Sequence, residues 1–242
     1  MTRTDLAWLT ERPIAHRGLH DLNHEVWENT LSAFERAMQR GFAIECDVHL
    51  TADNQVVVFH DDTLGRLTGA DGFVWQRTAS EMTALRIGGT NDHPPLLSEL
   101  LELVNGEVPL IIELKGIPGH DEGLVQAVGK LLSSYRGKAA IMSFDHWLIR
   151  QFSELPNIPA GLTALGTDNK DIEAHFSMLG NGIDFVSYCL AHLPNPFVNF
   201  IQTKLDMPLI TWTVRDEAAV RLSAELGGQI TFEGIDPENV IV

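Results

Sequence analysis

Eight short apolar runs alternate with amphipathic helical patterns along nearly all of a 242-residue chain. This alternation predicts an α/β fold, a TIM-type (β/α)8 barrel with a small insertion after the second strand. The length supports a barrel, since such folds run to about 250 residues as one unit. The one interruption of the rhythm, at about residues 51–96, places the insertion.

The strand candidates are PIAHRG (13–18), AIECDVHL (43–50), PLIIELKG (109–116) and AAIMSFD (139–145). AGLTAL (160–165), FVSYCL (185–190), PLITWTV (208–214) and GQITFE (228–233) complete the eight. Helical patterns follow most of them. NTLSAFERAMQRG (29–41) opens with Asn29 or Thr30 as a cap, spaces Leu31, Phe34, Ala37 and Met38 on one face, and stops at Gly41. Segments 97–106, 123–137, 146–156, 171–180, 196–205 and 216–227 behave alike. The interruption contains a hairpin-like TADNQVVVFHDD and then a Gly-rich polar stretch, as expected of an elaboration on the loop face of one barrel domain spanning residues 1–242.

Composition narrows the function. The chain is 44% hydrophobic and 21% charged, with a formal net charge of −16 and basic residues scattered rather than clustered. No basic stripe is available to displace counterions, which argues against nucleic acid and against anionic membrane surfaces. The two cysteines, Cys46 and Cys189, sit in apolar runs and read as buried thiols. The N-terminal MTRTDLAWLTERP lacks an apolar signal core, so the cytoplasm is the expected location, without stable membrane association.

In a strand, side chains alternate faces, so Ile44, Cys46, Val48 and Leu50 should meet the helices while Glu45, Asp47 and His49 point inward. The two carboxylates lie roughly 7 Å apart along the strand. Glu113 and Lys115 repeat the inward pattern at the C-terminal end of the third strand, where barrels keep their active sites. Unpaired buried carboxylates are costly, and Lys115 cannot match three of them. A hard divalent cation, Mg2+ or Ca2+, held by Glu45, Asp47 and Glu113 is the reading that balances them. His16 ends the first strand and His60 closes VVVFHDD, both where chemistry could use them. The remaining histidines, among them His20, His24, His93 and His120, read as structural or surface residues.

HRG (16–18), ENT (28–30), ECDVHLTADNQVVVFHDDTLGRLT (45–68), ELK (113–115), SFD (143–145) and TWTV (211–214) occur in one order. Together they resemble the glycerophosphodiester phosphodiesterase family, over roughly Pro13 to Glu233. The resemblance implies metal-dependent hydrolysis of small-molecule glycerophosphodiesters to sn-glycerol 3-phosphate and an alcohol. It assigns Glu45, Asp47 and Glu113 as metal ligands, His16 and His60 as the acid–base pair, and Arg17 and Lys115 as phosphate-binding cations. Trp212 becomes part of the pocket wall. It further suggests the glycerol 2-hydroxyl as first nucleophile, through a cyclic phosphate. Trp27 stands where the family commonly has Pro, and Thr231-Phe232-Glu233 replaces the usual Thr-Asp, a change expected to remove a polar group from the eighth strand's end.

The alternatives are a lysophospholipase D, or a phosphodiesterase resembling phosphatidylinositol-type phospholipase C, for which Phe73, Val74 and Trp75 could form an apolar lip. As a non-lipid reading, those three residues are the insertion's own small core. A non-catalytic phosphoester-binding barrel is the third.

Overall fold

Eight parallel strands close into a ring: β1 (Ile14–Ala15), β2 (Ala43–Leu50), β4 (Leu110–Leu114), β5 (Ala139–Ser143), β6 (Ala160–Ala164), β7 (Phe185–Cys189), β8 (Leu209–Val214) and β9 (Gln229–Phe232). β1 pairs with both β2 and β9, which completes the circle. The computed structural model describes residues 6–240. The first five residues of the N-terminal segment, read above for a signal sequence, lie outside them.

All eight strands fall within the sequence-predicted runs, and the predicted faces hold. Ile44, Cys46, Val48 and Leu50 join the apolar layer between strands and helices. The helix Leu31–Gln39 buries Ala33, Phe34 and Ala37 against them. Of the two candidate caps, Thr30 does the capping, its hydroxyl accepting from Ala33 N–H. Segment 146–156 is not one helix but a turn at His146–Ile149 and a 3-10 turn at Phe152–Glu154. Ile149 and Phe152 are both buried, a three-residue spacing that suits the tighter helix.

The lower end of the barrel is plugged. Leu6, Trp8 and Leu9, on and beside the short helix Trp8–Glu11, pack with Ile14, Ala43, Ile111, Ala140, Met142, Phe185 and Ile210 in one buried cluster. The upper end carries the insertion. Its β3 (Val56–Val58) runs antiparallel to β2, pairing Val48 with Val58 and Leu50 with Val56. The insertion buries its own cluster of Val57, Phe59, Leu64, Leu67, Val74, Met82 and Ile87, against which Trp27 packs. Trp27 also explains a departure from the family pattern: its indole lies so close over Gly88 that a Cβ there would come within 2.0 Å of the ring. The indole therefore clasps the insertion to the loop that enters the Leu31–Gln39 helix. Of the apolar triplet 73–75, only Val74 is core. Phe73 and Trp75 stack at 4.4 Å, and Trp75 stacks in turn on His120 at 4.8 Å, from the loop that follows β4.

Candidate active site

Parallel strands in register bring the inward acids together. Asp47 on β2 is the direct neighbour of Glu113 on β4, and Glu45 lies one pleat below Asp47. Ligand oxygens of Glu45, Asp47 and Glu113 all lie within 4.8 Å of one another, and all three residues are buried. Lys115, two residues beyond Glu113, reaches Asp47 Oδ1 at 2.9 Å and also pairs with Glu113.

The first strand supplies the rest through a strained turn. Arg17 takes a left-handed backbone, φ +55°, which costs a non-glycine residue energy and recurs where side chains must be aimed. In that pose its backbone N–H donates to Glu45 Oε2 at 2.9 Å and its guanidinium donates to Glu28 Oε1 at 2.7 Å. Its Nε sits 3.3 Å from Asp47 Oδ2, near enough for charge attraction but misaligned for a hydrogen bond. Gly18 completes the turn at φ +82°, where a Cβ would come within 2.8 Å of Ala33 Cβ.

Charge explains why these acids tolerate burial. Three carboxylates face two cations, so one negative charge is left over. Burial opposes ionisation of Asp47, yet Lys115 and Arg17 overcome it and hold the group well below the usual carboxylate range. Glu45 bears the excess: burial, then the charges of Asp47 and Glu113, push it well upward. A divalent cation would relieve that repulsion and leave the cluster net positive, as suits an anionic ligand. The all-oxygen donor set fits Mg2+ or Ca2+.

Each histidine is held by a carboxylate. Glu233 Oε2 lies 2.6 Å from His16 Nδ1, and Asp61 Oδ1 lies 2.7 Å from His60 Nδ1. An ionised carboxylate can only accept, so both Nδ1 atoms carry protons when the imidazoles are neutral, and both Nε2 atoms are acceptors. Burial lowers the pKa of His16 against the opposing pull of Glu233. The expected loss of polarity at the end of the eighth barrel strand is corrected here. Phe232 turns outward onto Phe42, and Glu233, one residue past the strand, delivers the carboxylate instead.

A second tier ties these groups together. Arg66 donates to Glu28 and, through Nε at 2.6 Å, to Asp61 Oδ2. Burial opposes ionising Glu28, but the hydrogen bonds of Arg66 and the charge of Arg17 prevail and hold it at about 2. Asn29 donates to Asp47 Oδ2 at 2.9 Å. Sequence reasoning assigned no role to Glu28, Arg66, Asp61 or Glu233, and read Asn29 only as a cap. Glu28, Asn29, Asp61 and Arg66 did sit inside the motif blocks, which was the available signal.

His16, His60, Arg17, Lys115, Glu45, Asp47, Glu113 and Trp212 all line one cavity of about 210 Å³, so the structure gathers every residue singled out as a site candidate. Phe144 meets Trp212 edge-on at 5.3 Å in the same wall. His49 faces inward as predicted but bonds His60 O from Nε2, so it supports the strand end rather than the cavity.

Fold and pocket together are a closed barrel whose upper mouth gathers two carboxylate-held histidines, three acids and two cations. The model of the glycerophosphoryl diester phosphodiesterase family matches residues 16–230. This chain belongs to that family. It is 37% identical over 162 residues to a glycerophosphodiester phosphodiesterase of Caldanaerobacter subterraneus subsp. tengcongensis, a match covering 62% of this chain and 65% of that protein. With a putative glycerophosphodiester phosphodiesterase of Bacillus subtilis it shares 31% identity over 87% of this chain and 89% of the other. The fold is also that of an Oleispira antarctica phosphodiesterase solved with its product sn-glycerol-3-phosphate, at TM-score 0.81, 22% identity and 95% coverage of both chains. Among the described residues, no helix is long and apolar enough to cross a membrane.

Proposed function

We propose that the protein hydrolyses glycerophosphodiesters to sn-glycerol 3-phosphate and an alcohol, with His16 and His60 as the proton-transfer pair. The observation that carries this reading is two carboxylate-held histidines in one small cavity with an acidic cluster and two cations. Glu45, Asp47 and Glu113 would hold a divalent cation, Mg2+ or Ca2+, whose Lewis acidity would stabilise charge on the non-bridging phosphate oxygens.

Arg17 and Lys115 orient the phosphate and share that stabilisation. Lys115 spends two of its three N–H groups on Asp47 and Glu113, which leaves one for the ligand. His16, kept neutral by burial, takes the proton of the attacking hydroxyl at Nε2. His60 gives the departing alcohol the proton of its own Nε2, a role that requires it to enter the step as the doubly protonated imidazolium held by Asp61, and each transfer is worth roughly 10²–10⁴-fold. Attack by the glycerol 2-hydroxyl would give a cyclic phosphate that water opens with the two histidine roles exchanged. Trp212 walls the cavity. We read the chain as one domain, its 51–96 segment being the elaboration that supplies His60. The free thiols of Cys46 and Cys189 support the cytoplasm as the compartment.

The test is release of sn-glycerol 3-phosphate from glycerophosphocholine by purified protein, with EDTA and then with Mg2+ or Ca2+ restored. Release that depends on the ion and is lost in His16→Ala and His60→Ala supports the reading; wild-type turnover in His60→Ala excludes a chemical role for that residue. The surface stack of Phe73, Trp75 and His120 favours a lysolipid substrate, and lysophosphatidylcholine in the same assay tests it.

A further inference from the structure

Across the ring from the acidic cluster, the cavity wall has an unexplained polar patch. Thr163 on β6 and Ser187 on β7 are register partners, 2% and 1% exposed. Thr163 Oγ1 and Ser187 Oγ are buried with no hydrogen-bond partner among the described residues. Trp212 on β8 adds a buried indole N–H in the same condition. All three residues line the cavity that holds His16, His60 and the acids.

Buried hydroxyls and indole N–H groups are destabilising when left unpaired, so three together call for a polar ligand. Nothing beneath can supply it, because the next layer down is the apolar plug of Phe185, Ile210 and Ile111. The partner must therefore enter from the cavity. Its chemistry follows from the donor inventory. Two hydroxyls can donate or accept and the indole only donates, a set that complements an alcohol O–H. β6 and β7 face β1 and β2 across the ring, so a phosphate held over Arg17, at the end of β1, would extend its other arm to this patch.

We propose that Thr163, Ser187 and the Trp212 indole form a hydroxyl-recognition subsite that takes the terminal C1 hydroxyl of the substrate's glycerol and restricts the enzyme to unacylated diesters. This rests on the reading above, in which the 2-hydroxyl lies at His16 and the 3-position carries the phosphate. C1 is then the end that points into the patch. Acylation at C1 would remove the donor and bring a long chain against a sealed floor. The cavity, at about 210 Å³, is smaller than the roughly 300–1,000 Å³ of sites for drug-sized ligands.

Calorimetric binding of sn-glycerol 3-phosphate and of its 1-deoxy analogue, in Mg2+ or Ca2+, tests the subsite. Wild-type protein should prefer the glycerol compound about 10-fold, the worth of a well-made hydrogen bond. Thr163→Val and Ser187→Ala should each reduce that preference to about threefold or less, while Thr163→Ser retains it. A wild type without preference, or variants of unchanged melting temperature that keep it, would overturn the subsite. Turnover of lysophosphatidylcholine as fast as that of glycerophosphocholine would overturn the restriction to unacylated diesters. If glycerophosphocholine is not cleaved but the hydroxyl preference and its loss in the variants persist, the hydrolase reading fails and the subsite stands.

Discussion

Glu233 Oε2 sits 2.6 Å from His16 Nδ1, joining residues 217 positions apart at the seam where β9 meets β1. Arg215 holds the other carboxylate oxygen at 2.7 Å, which fixes the acid's orientation. Glu233 thus sets the tautomer of His16 without facing the substrate. Glu233→Gln should lower kcat about 10- to 100-fold, as loss of an orienting carboxylate does elsewhere, with KM within about twofold. Steady-state kinetics on glycerophosphocholine decide it; a rise in KM alone would place Glu233 in binding instead.

Arg66 bridges the partner of Arg17 and the partner of His60, since its guanidinium donates to both Glu28 and Asp61. Lysine offers a point charge where a fork is used, so Arg66→Lys is not conservative here. Because Arg66 is partly exposed, we expect only about 1–2 kcal/mol lost in Arg66→Ala, with slower turnover. Urea denaturation should show a lower midpoint at unchanged slope.

Acidification should weaken the protein partly through Glu28. A carboxyl group held at about 2, below its free value of about 4.3, stabilises the fold fully above pH 4.3 and loses that contribution as pH falls towards 2. The maximum is about 3 kcal/mol. Wild type should therefore exceed Glu28→Gln in stability at pH 6, and the gap should close between pH 4.3 and 2. Melting curves of both proteins across that range give the answer, and a constant gap would contradict it.

Cation binding has a signature independent of catalysis. Saturating Mg2+ or Ca2+, at about 100 times its dissociation constant, should stabilise the protein by about 2.7 kcal/mol. EDTA should reverse the rise in melting temperature. Glu113→Gln removes one ligand charge and should abolish most of the shift; an undiminished shift would place the ion elsewhere.

The barrel was legible because strand and helix periods differ, and β2 and β4 show why the site was legible too. Glu45 and Asp47 at alternate positions of AIECDVHL, and Glu113 beside Asp47 in LIIEL, can only face inward once the strands close into a ring. The histidines, Arg17 and Lys115 followed from strand ends and motif blocks. What sequence could not give was contact across the chain. Glu233 meets His16 only because β9 pairs with β1, and Arg66 meets Glu28 only because the insertion folds back over the loop before the Leu31–Gln39 helix. The patch of Thr163 and Ser187 was invisible for another reason: small polar residues in a buried strand look like ordinary core until their hydroxyls are found without partners.

The plug formed by Leu6, Trp8, Leu9 and Phe185 seals the lower end, so all traffic passes through the upper mouth. On the proposed reading, reactant and both products share that one mouth. With glycerol seated innermost, the freed alcohol departs first and the phosphorylated product last. Glycerol 3-phosphate should then inhibit competitively, and the released alcohol should not.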